Sequence, residues 1–178
     1  GLRRAAEVSA PVGDLVFTFA DSVQVNGPID TAYQFIDEAD RWPVRLPHVR
    51  RLDLRVDEAG VQHMVMDTVA PDGATHTTSS VRVCMDGTQI VYKQIEVPAL
   101  LTGHSGRWIF ATEGGTTTIT SEHTVCMNAD AVEKVLGAGT NLVAAKTFVR
   151  DALGGNSRIT LQHAKEFSEA GGVRLVRR

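Results

Sequence analysis

The sequence is poor in the features that most readily betray a function. Of 178 residues only two are cysteine, two tryptophan and two tyrosine, and aromatics make up 6%. Cys84 and Cys126 lie far apart, so no disulfide framework is available and two reduced thiols in a cytoplasmic protein are expected. Neither sign of charge dominates: 18 Lys and Arg stand against 21 Asp and Glu, a net of -3. This excludes bulk nucleic-acid binding but not local basic clusters. No apolar run approaches the length of a membrane span, and no secretory hydrophobic region is seen at the start. A phosphate loop and a Gly-x-Gly-x-x-Gly turn are both lacking. His123 and Cys126 have ligand-like spacing but no second pair, so neither a metal nor a cofactor is expected. Repeats and low-complexity segments are also missing.

What is present is one domain's worth of chain, long enough for a core or a sizeable cavity. Residues 1–14 are small, charged and broken by Pro11 and Gly13, and read as a linker or arm. The domain proper is expected over 15–170, and 171–178 reads as a basic, flexible tail. The opening Gly1, in place of methionine, reads as a cut: either a remnant of preparation or the start of a domain excised from a longer protein. A strand is predicted over 15–25, then a short helix in which Ile29, Tyr33 and Ile36 share a stripe. A second short helix or turn follows in RWPVRLPHVRR at 41–51, where Pro43 and Pro47 forbid a long helix. The period then changes. Strands are predicted over 49–57, 61–69, 75–85, 89–97, 101–112 and 116–127, separated by turns such as Asp86-Gly87 and Gly114-Gly115. The end is helical, capped by Thr140 or Asn141, with Gly154 and Gly155 either kinking one helix or separating two, the second capped by Asn156 or Ser157.

The predicted fold is α+β: a seven-stranded antiparallel curved sheet around a long C-terminal helix, with two short helices after the first strand. Such a sheet has only one helix to cover it and must curl around that helix, leaving a cavity beneath. Strand alternation offers two sets of residues for that cavity. On the fourth strand, His76, Thr78, Ser80 and Arg82 share one face, which is either solvated or a wet cavity wall. On the sixth, Trp108 and Phe110 should point inward, bringing His104 with them and leaving Gly106 as an open space. The seventh is ambiguous: Thr118, Thr120, Glu122 and Thr124 alternate with Ile119, Ser121, His123 and Val125. The resulting interior of hydroxyls, imidazole and arginine suits a polar, oxygen-rich ligand.

Several stretches in this order carry a resemblance: Arg41, Trp42 and Pro43 after the short helix; Ser80, Val81 and Arg82 on the fourth strand; GRWIF at 106–110; and SEHTV at 121–125. Over residues 15–170 the chain resembles the polyketide aromatase/cyclases of the START-like, helix-grip superfamily. ALGGNSR at 152–158, leading to His163, Ala164 and Lys165, looks like one half of the two-domain members. The resemblance implies a regiospecific aldol cyclisation and dehydration of a poly-β-ketone delivered by an acyl carrier protein, and a second homologous domain as partner.

It also implies roles. Arg82, Ser80 and His104 are the expected catalytic residues, with Arg82 donating to a ketone or enolate oxygen and His104 or His48 shuttling the proton. Trp42, His48, His76, Thr78, Trp108, Glu122 and Asn156 are expected to bind substrate, with Trp42 walling the entrance and Glu122, if inward, pairing with Arg82 or acting as a base. Arg41, Arg45, Arg50 and Arg51 would form a basic collar for the acidic carrier protein. The chain departs from the single-domain members, which carry a tyrosine shortly after the Trp-Pro step where Val49 stands here, beside His48. His76 and Thr78 replace fourth-strand tryptophans. A more polar pocket is therefore expected, and with it a different chain length or a partly reduced chain. Two other functions compete: a non-catalytic hydrophobic-ligand or lipid-binding module, and a supporting half of a two-domain cyclase.

Overall fold

Glycine turns between alternating runs fold the middle of the chain into a meander. The computed structural model describes residues 12–70 and 72–172, so the expectations for 1–11 and 173–178 lie outside the described residues. Strands β2 (Val49–Val56), β3 (Gln62–Val69), β4 (Thr75–Met85), β5 (Gln89–Glu96), β6 (Leu101–Glu113) and β7 (Thr116–Met127) follow one another antiparallel. Between β6 and β7, Gly114 and Gly115 take φ of 57° and 82°, the two successive left-handed residues that a tight hairpin requires. The first strand, β1 (Val16–Val25), pairs antiparallel with β7, giving the sheet order β1-β7-β6-β5-β4-β3-β2. Ahead of it Val12–Leu15 form a helical turn, α1, at the end of the segment read as a linker or arm.

Helices α2 (Ile29–Asp37) and α3 (Trp42–Arg45), joined by a 3-10 turn at Ala39–Arg41, cross from β1 to β2. A second 3-10 turn, Ala129–Ala131, and α4 (Val132–Leu136) lead to α5 (Leu142–Glu169). The α5 helix is a single helix of 28 residues capped by Asn141, whose side chain accepts from the Ala144 amide at 2.8 Å. Gly154 does not break it. A Cβ at that position would collide with the Arg150 guanidinium, which reaches Asp21 together with Arg158. The architecture is the helix-grip arrangement expected from the sequence. Among the described residues, no helix is long and apolar enough to cross a membrane.

The α5 helix packs on β1, α2 and β7, and the inner face beneath it is not uniform. One apolar cluster, including Phe35, Trp42, Ile90, Trp108, Phe110, Ile119 and Leu161, fills the end under α2 and α3. Another, with Leu101, Val125, Met127, Val132, Ala145 and Val149, fills the end under α4. Between them lies a band of buried polar side chains: Ser80, Gln94, His104, Ser121, His123 and Ser157. Its position follows from β7, whose strict alternation buries Thr117, Ile119, Ser121, His123, Val125 and Met127.

Candidate functional site

The last four carbonyls of a helix need donors from outside the helix. In α2 each has one. Gln34 O accepts from the Glu38 amide at 3.0 Å and Phe35 O from Trp42 Nε1 at 3.0 Å. Ile36 O and Asp37 O accept from Arg82 Nη1 and Nη2 at 2.9 and 2.7 Å. Arg82 Nε donates to Gln62 Oε1 at 2.8 Å, and the guanidinium lies 5.7 Å from the Trp42 ring centroid. Burial lowers its pKa, yet an arginine stays charged at any ordinary pH. The negative end of the helix and the Trp42 face compensate that charge.

The polar band is a chain of contacts across β5, β6, β7 and α5. Gln94 Oε1 lies 2.7 Å from His104 Nδ1, and His104 Nε2 lies 2.9 Å from His123 Nδ1. His123 Nε2 lies 2.7 Å from Ser157 Oγ and 3.3 Å from Ser121 Oγ. The orientation of Gln94 sets the proton order. Its carbonyl oxygen accepts, so His104 carries its proton on Nδ1 and presents a lone pair at Nε2. His123 then donates from Nδ1, shared with the Tyr92 hydroxyl at 3.1 Å. That leaves the His123 Nε2 lone pair facing two hydroxyls.

Burial holds both rings neutral. It pushes His104 down to about 4 and His123 down to about 3, with the neighbouring ring adding to the His123 shift. The two rings stack at 5.2 Å, Phe19 stacks on His123 at 4.7 Å, and the Arg150 guanidinium lies 4.3 Å from the Phe19 centroid. Gly106 makes room for Tyr92: a Cβ there would collide with the Tyr92 hydroxyl and the Glu122 carbonyl.

A cavity of about 470 Å³ opens between the middle of α5 and the start of β2, lined by His48, Arg50, Val69, Gly155, Asn156 and Ile159 among others. That volume is within the range of small-molecule sites. Among the described residues His48 Nδ1, buried there, has no hydrogen-bond partner, and burial lowers the pKa of the ring, with His163 adding to the shift. A second groove, about 350 Å³, lies over β2, β3 and β4 near Asp53, Arg55, His63 and Ile95, and Ser80 also lines it.

The structure brings together some of the residues nominated from sequence and separates others. Ser80 and His104 face the interior, and Ser80 pairs in register with Gln94, which holds His104. The β4–β5 ladder shifts register between Ser79 and Ser80, a local irregularity of the kind found beside functional sites. Thr78 is half-buried, its Oγ1 3.5 Å from Met66 O, and His76 is exposed at the start of β4. His48 and Asn156 line one cavity.

Other placements differ from expectation. Arg82 is inside, with 1% of its surface exposed, but three of its N–H groups serve Gln62 and the end of α2 rather than open space. Trp42 does not wall an entrance; it is buried in the same core cluster as Trp108. Glu122 points outward, because the alternation that buries Ser121 and His123 turns it to the other face, and it pairs with Arg107 at 2.8 Å. The basic collar is largely neutralised. Arg45 pairs with Glu38 at 2.6 Å and lies against Phe167; Arg51 pairs with Asp67 and Asp53 on the outer side; Arg41 lies 3.7 Å from Asp40. Arg50 alone of the four lines the cavity, and it has no carboxylate partner among the described residues.

Sequence reasoning missed His123, Gln94, Tyr92, Ser121 and Ser157. Ile119 and Val125, flanking Ser121 and His123 at the same parity, were the signal that this side of β7 faces in. His123 and Cys126, three apart on a strand, belong to opposite faces and are not a ligand pair.

No protein-family model matches the sequence. The chain is 47% identical over 169 residues to the actinorhodin polyketide synthase bifunctional cyclase/dehydratase of Streptomyces coelicolor, covering 89% of this chain and 52% of that protein. The crystal structure of the di-domain ARO/CYC BexL from the BE-7585A biosynthetic pathway superposes with a TM-score of 0.85 at 51% identity, over 88% of this chain and 51% of that one. The Zhui aromatase/cyclase from Streptomyces sp. R1128, with a TM-score of 0.74 at 19% identity, covers 89% of this chain and 99% of its own and shares the fold. The chain thus spans about half the length of the curated relatives it matches. A folded unit with a polar band beneath its last helix thus aligns, in sequence and structure, with one half of polyketide synthase bifunctional cyclase/dehydratases and of a di-domain ARO/CYC protein.

Proposed function

We propose that the chain catalyses the cyclisation and dehydration of a poly-β-ketone, closing the first ring by a regiospecific intramolecular aldol reaction while the chain is carried by an acyl carrier protein. The observation that carries this reading is the polar band itself. A carrier of lipids or hydrophobic ligands needs an apolar interior, whereas here hydroxyl, amide and imidazole groups are aligned between two apolar clusters. The relatives named as cyclase/dehydratases supply the substrate class.

An aldol reaction needs an enol, a polarised ketone and a proton route. The methylenes of a poly-β-ketone are already acidic, so the protein's main work is to hold one pair of carbons close and exclude the others. Ser80 and Thr78 would hold carbonyl oxygens on β4, and His48 and Asn156 would hold the chain where it enters. His104 belongs to the proton route. Arg82 enters as the anchor of α2, setting one wall of the interior and biasing it electrostatically. Arg50 at the cavity would meet the acidic carrier protein, and a second homologous domain would complete the native protein. The free thiols Cys84 and Cys126 suit the cytoplasm, where such carriers work.

The test is reconstitution with carrier-bound, freshly synthesised poly-β-ketone and analysis of the products. Wild-type chain should shift the mixture toward one ring pattern, and Ser80→Ala and His48→Ala should lose that bias while remaining folded. A product distribution identical with and without the protein overturns catalysis by this chain. Bias that appears only when the second half is added assigns this half a supporting role.

A further inference from the structure

We propose that Ser157 and His123, backed by His104, carry the proton in the dehydration half of the reaction, with the Ser157 hydroxyl as the group that meets the substrate. This rests on the cyclase/dehydratase reading above and assigns its proton route to two residues, Ser157 and His123, to which the sequence reading gave no catalytic role. Three observations converge. First, the contact at 2.7 Å between Ser157 Oγ and His123 Nε2 is the shortest hydroxyl–imidazole approach in the band, and the proton order set by Gln94 makes that nitrogen the acceptor. Second, Ser157 follows Gly155 and Asn156, which line the 470 Å³ cavity, so one turn of α5 spans from the cavity to the band. Third, Ser157 keeps 5% of its surface exposed while Ser121, the other hydroxyl on His123, keeps none.

The chemistry balances without a cofactor. After ring closure the product is a β-hydroxyketone. Its C–H bond next to the ketone breaks, and that electron pair forms the carbon–carbon double bond as the C–O bond to the hydroxyl breaks. The Ser157 oxygen takes the carbon's proton while its own proton passes to His123 Nε2. The imidazolium returns a proton through Ser157 to the departing hydroxyl, and water leaves. The charge held in between is shared across the 2.9 Å contact with His104. The rings are neutral at rest, so the base is available at neutral pH. Burial, with the neighbouring His104 ring, makes the transient imidazolium a strong acid, which favours return of the proton. His104 does not touch substrate on this account; it positions His123 and fixes its tautomer.

The test has two arms. In the first, nitrogen NMR of histidine-labelled chain reads the tautomers. His104 and His123 should both be neutral with the proton on Nδ1 at pH 6, and Ser157→Ala should move the His123 Nε2 resonance while leaving His104 in place. A proton on His123 Nε2 in the wild-type chain overturns the relay. In the second, 3-hydroxycyclohexanone serves as the probe, followed by its conversion to the enone and by exchange of its α-protons in D2O. Ser157→Ala and His123→Gln should each lower kcat by about 100-fold or more with KM little changed, Ser157→Thr should recover most of the rate, and His104→Gln should show a smaller loss.

Wild-type rates in Ser157→Ala, or no exchange and no elimination by the wild-type chain, overturn the proposal. Elimination from the probe by a chain that does not alter polyketide products supports the relay and overturns the cyclisation reading.

Discussion

Arg82, Tyr92, Gly106 and His123 stand side by side across four strands, each paired in register with the next. The two ends of this row solve the problem of buried nitrogen bases in opposite ways. At one end Arg82 keeps its charge, because two carbonyls at the negative end of α2, the Gln62 side chain and the Trp42 face surround it. At the other, His123 has hydroxyls and a second imidazole, the facing Asp21 carboxylate is engaged by Arg150, and burial neutralises the ring. A group whose charge is compensated by fixed backbone is held in place and has little left to offer a substrate. A neutral imidazole that retains a lone pair toward a hydroxyl can still accept a proton. The fold makes the arginine end structural and leaves chemistry to the imidazole end.

The largest effect is expected at the arginine end. Arg82→Ala removes the donor to Ile36 O, Asp37 O and Gln62 Oε1 at once and should destabilise the chain by about 4 kcal/mol, read as a fall in the urea midpoint. Arg82→Lys should recover only part of this, because an ammonium cannot fork to both carbonyls. An Arg82→Ala chain that unfolds at the wild-type midpoint, but forms altered products, would reverse the assignment of the two ends.

The imidazole end should make the protein acid-sensitive, with a sign that follows from the depressed pKa values. Both rings ordinarily titrate near 6.5, and in the folded chain near 4 for His104 and 3 for His123. The unfolded chain therefore binds protons first as pH falls. The contribution is complete above about pH 6.5 and is lost progressively down to the folded values. The groups facing the pair are Tyr92 on β5, Asp21 on β1, and Arg150 and Arg158 on α5. Asp21, where burial raises the pKa but the hydrogen bonds and charges of Arg150 and Arg158 together outweigh it, stays below its usual 3.8 and so acts at lower pH. Between pH 6.5 and 5, Tm should fall by the equivalent of on the order of 3 kcal/mol, and the double variant His104→Gln, His123→Asn should flatten that slope whatever its absolute stability. A steep slope that survives in the double variant would show that other groups cause it.

Much of the fold was legible in the sequence. The strand expected over 75–85 and the one over 116–127 coincide with β4 and β7, because alternation and turn glycines are local signals. The site was less so. Arg82 meets carbonyls 45 and 46 residues away, and nothing in its spacing announces that partner. On β7 each parity carries one ionisable residue, and only Ile119 and Val125 beside His123 favoured its side; β1 and α5 fix that side as the inner one. Ser157 was hidden by Gly154 and Gly155, which offered it a role as a helix cap; in the folded chain the helix runs through and the serine turns inward.

The space between the two ends can be probed through Gly106. Gly106→Ala drives a methyl group into the Tyr92 hydroxyl and the Glu122 carbonyl, and should cost about 1–3 kcal/mol. Tyr92→Phe should relieve only part of this, since the backbone oxygen of Glu122 remains in the way, and the pair should be non-additive in a double-mutant cycle. Additive effects would mean that Tyr92 does not fill the space left by the missing side chain.

The smallest effect is expected just outside the row. Glu122 lies between Ser121 and His123 in sequence, yet it pairs with Arg107 on the opposite face, where the pair is partly open to solvent. Solvent and salt screen such pairs, and no backbone group depends on this one. Glu122→Gln should leave Tm, the acid slope and the products as they are in wild type, whereas His123→Gln, one residue along, should change all three. Alternation alone separates the two outcomes. A loss of ring-specific product in Glu122→Gln with unchanged stability would bring that carboxylate back into the reaction and require β7 to present its other face to the substrate.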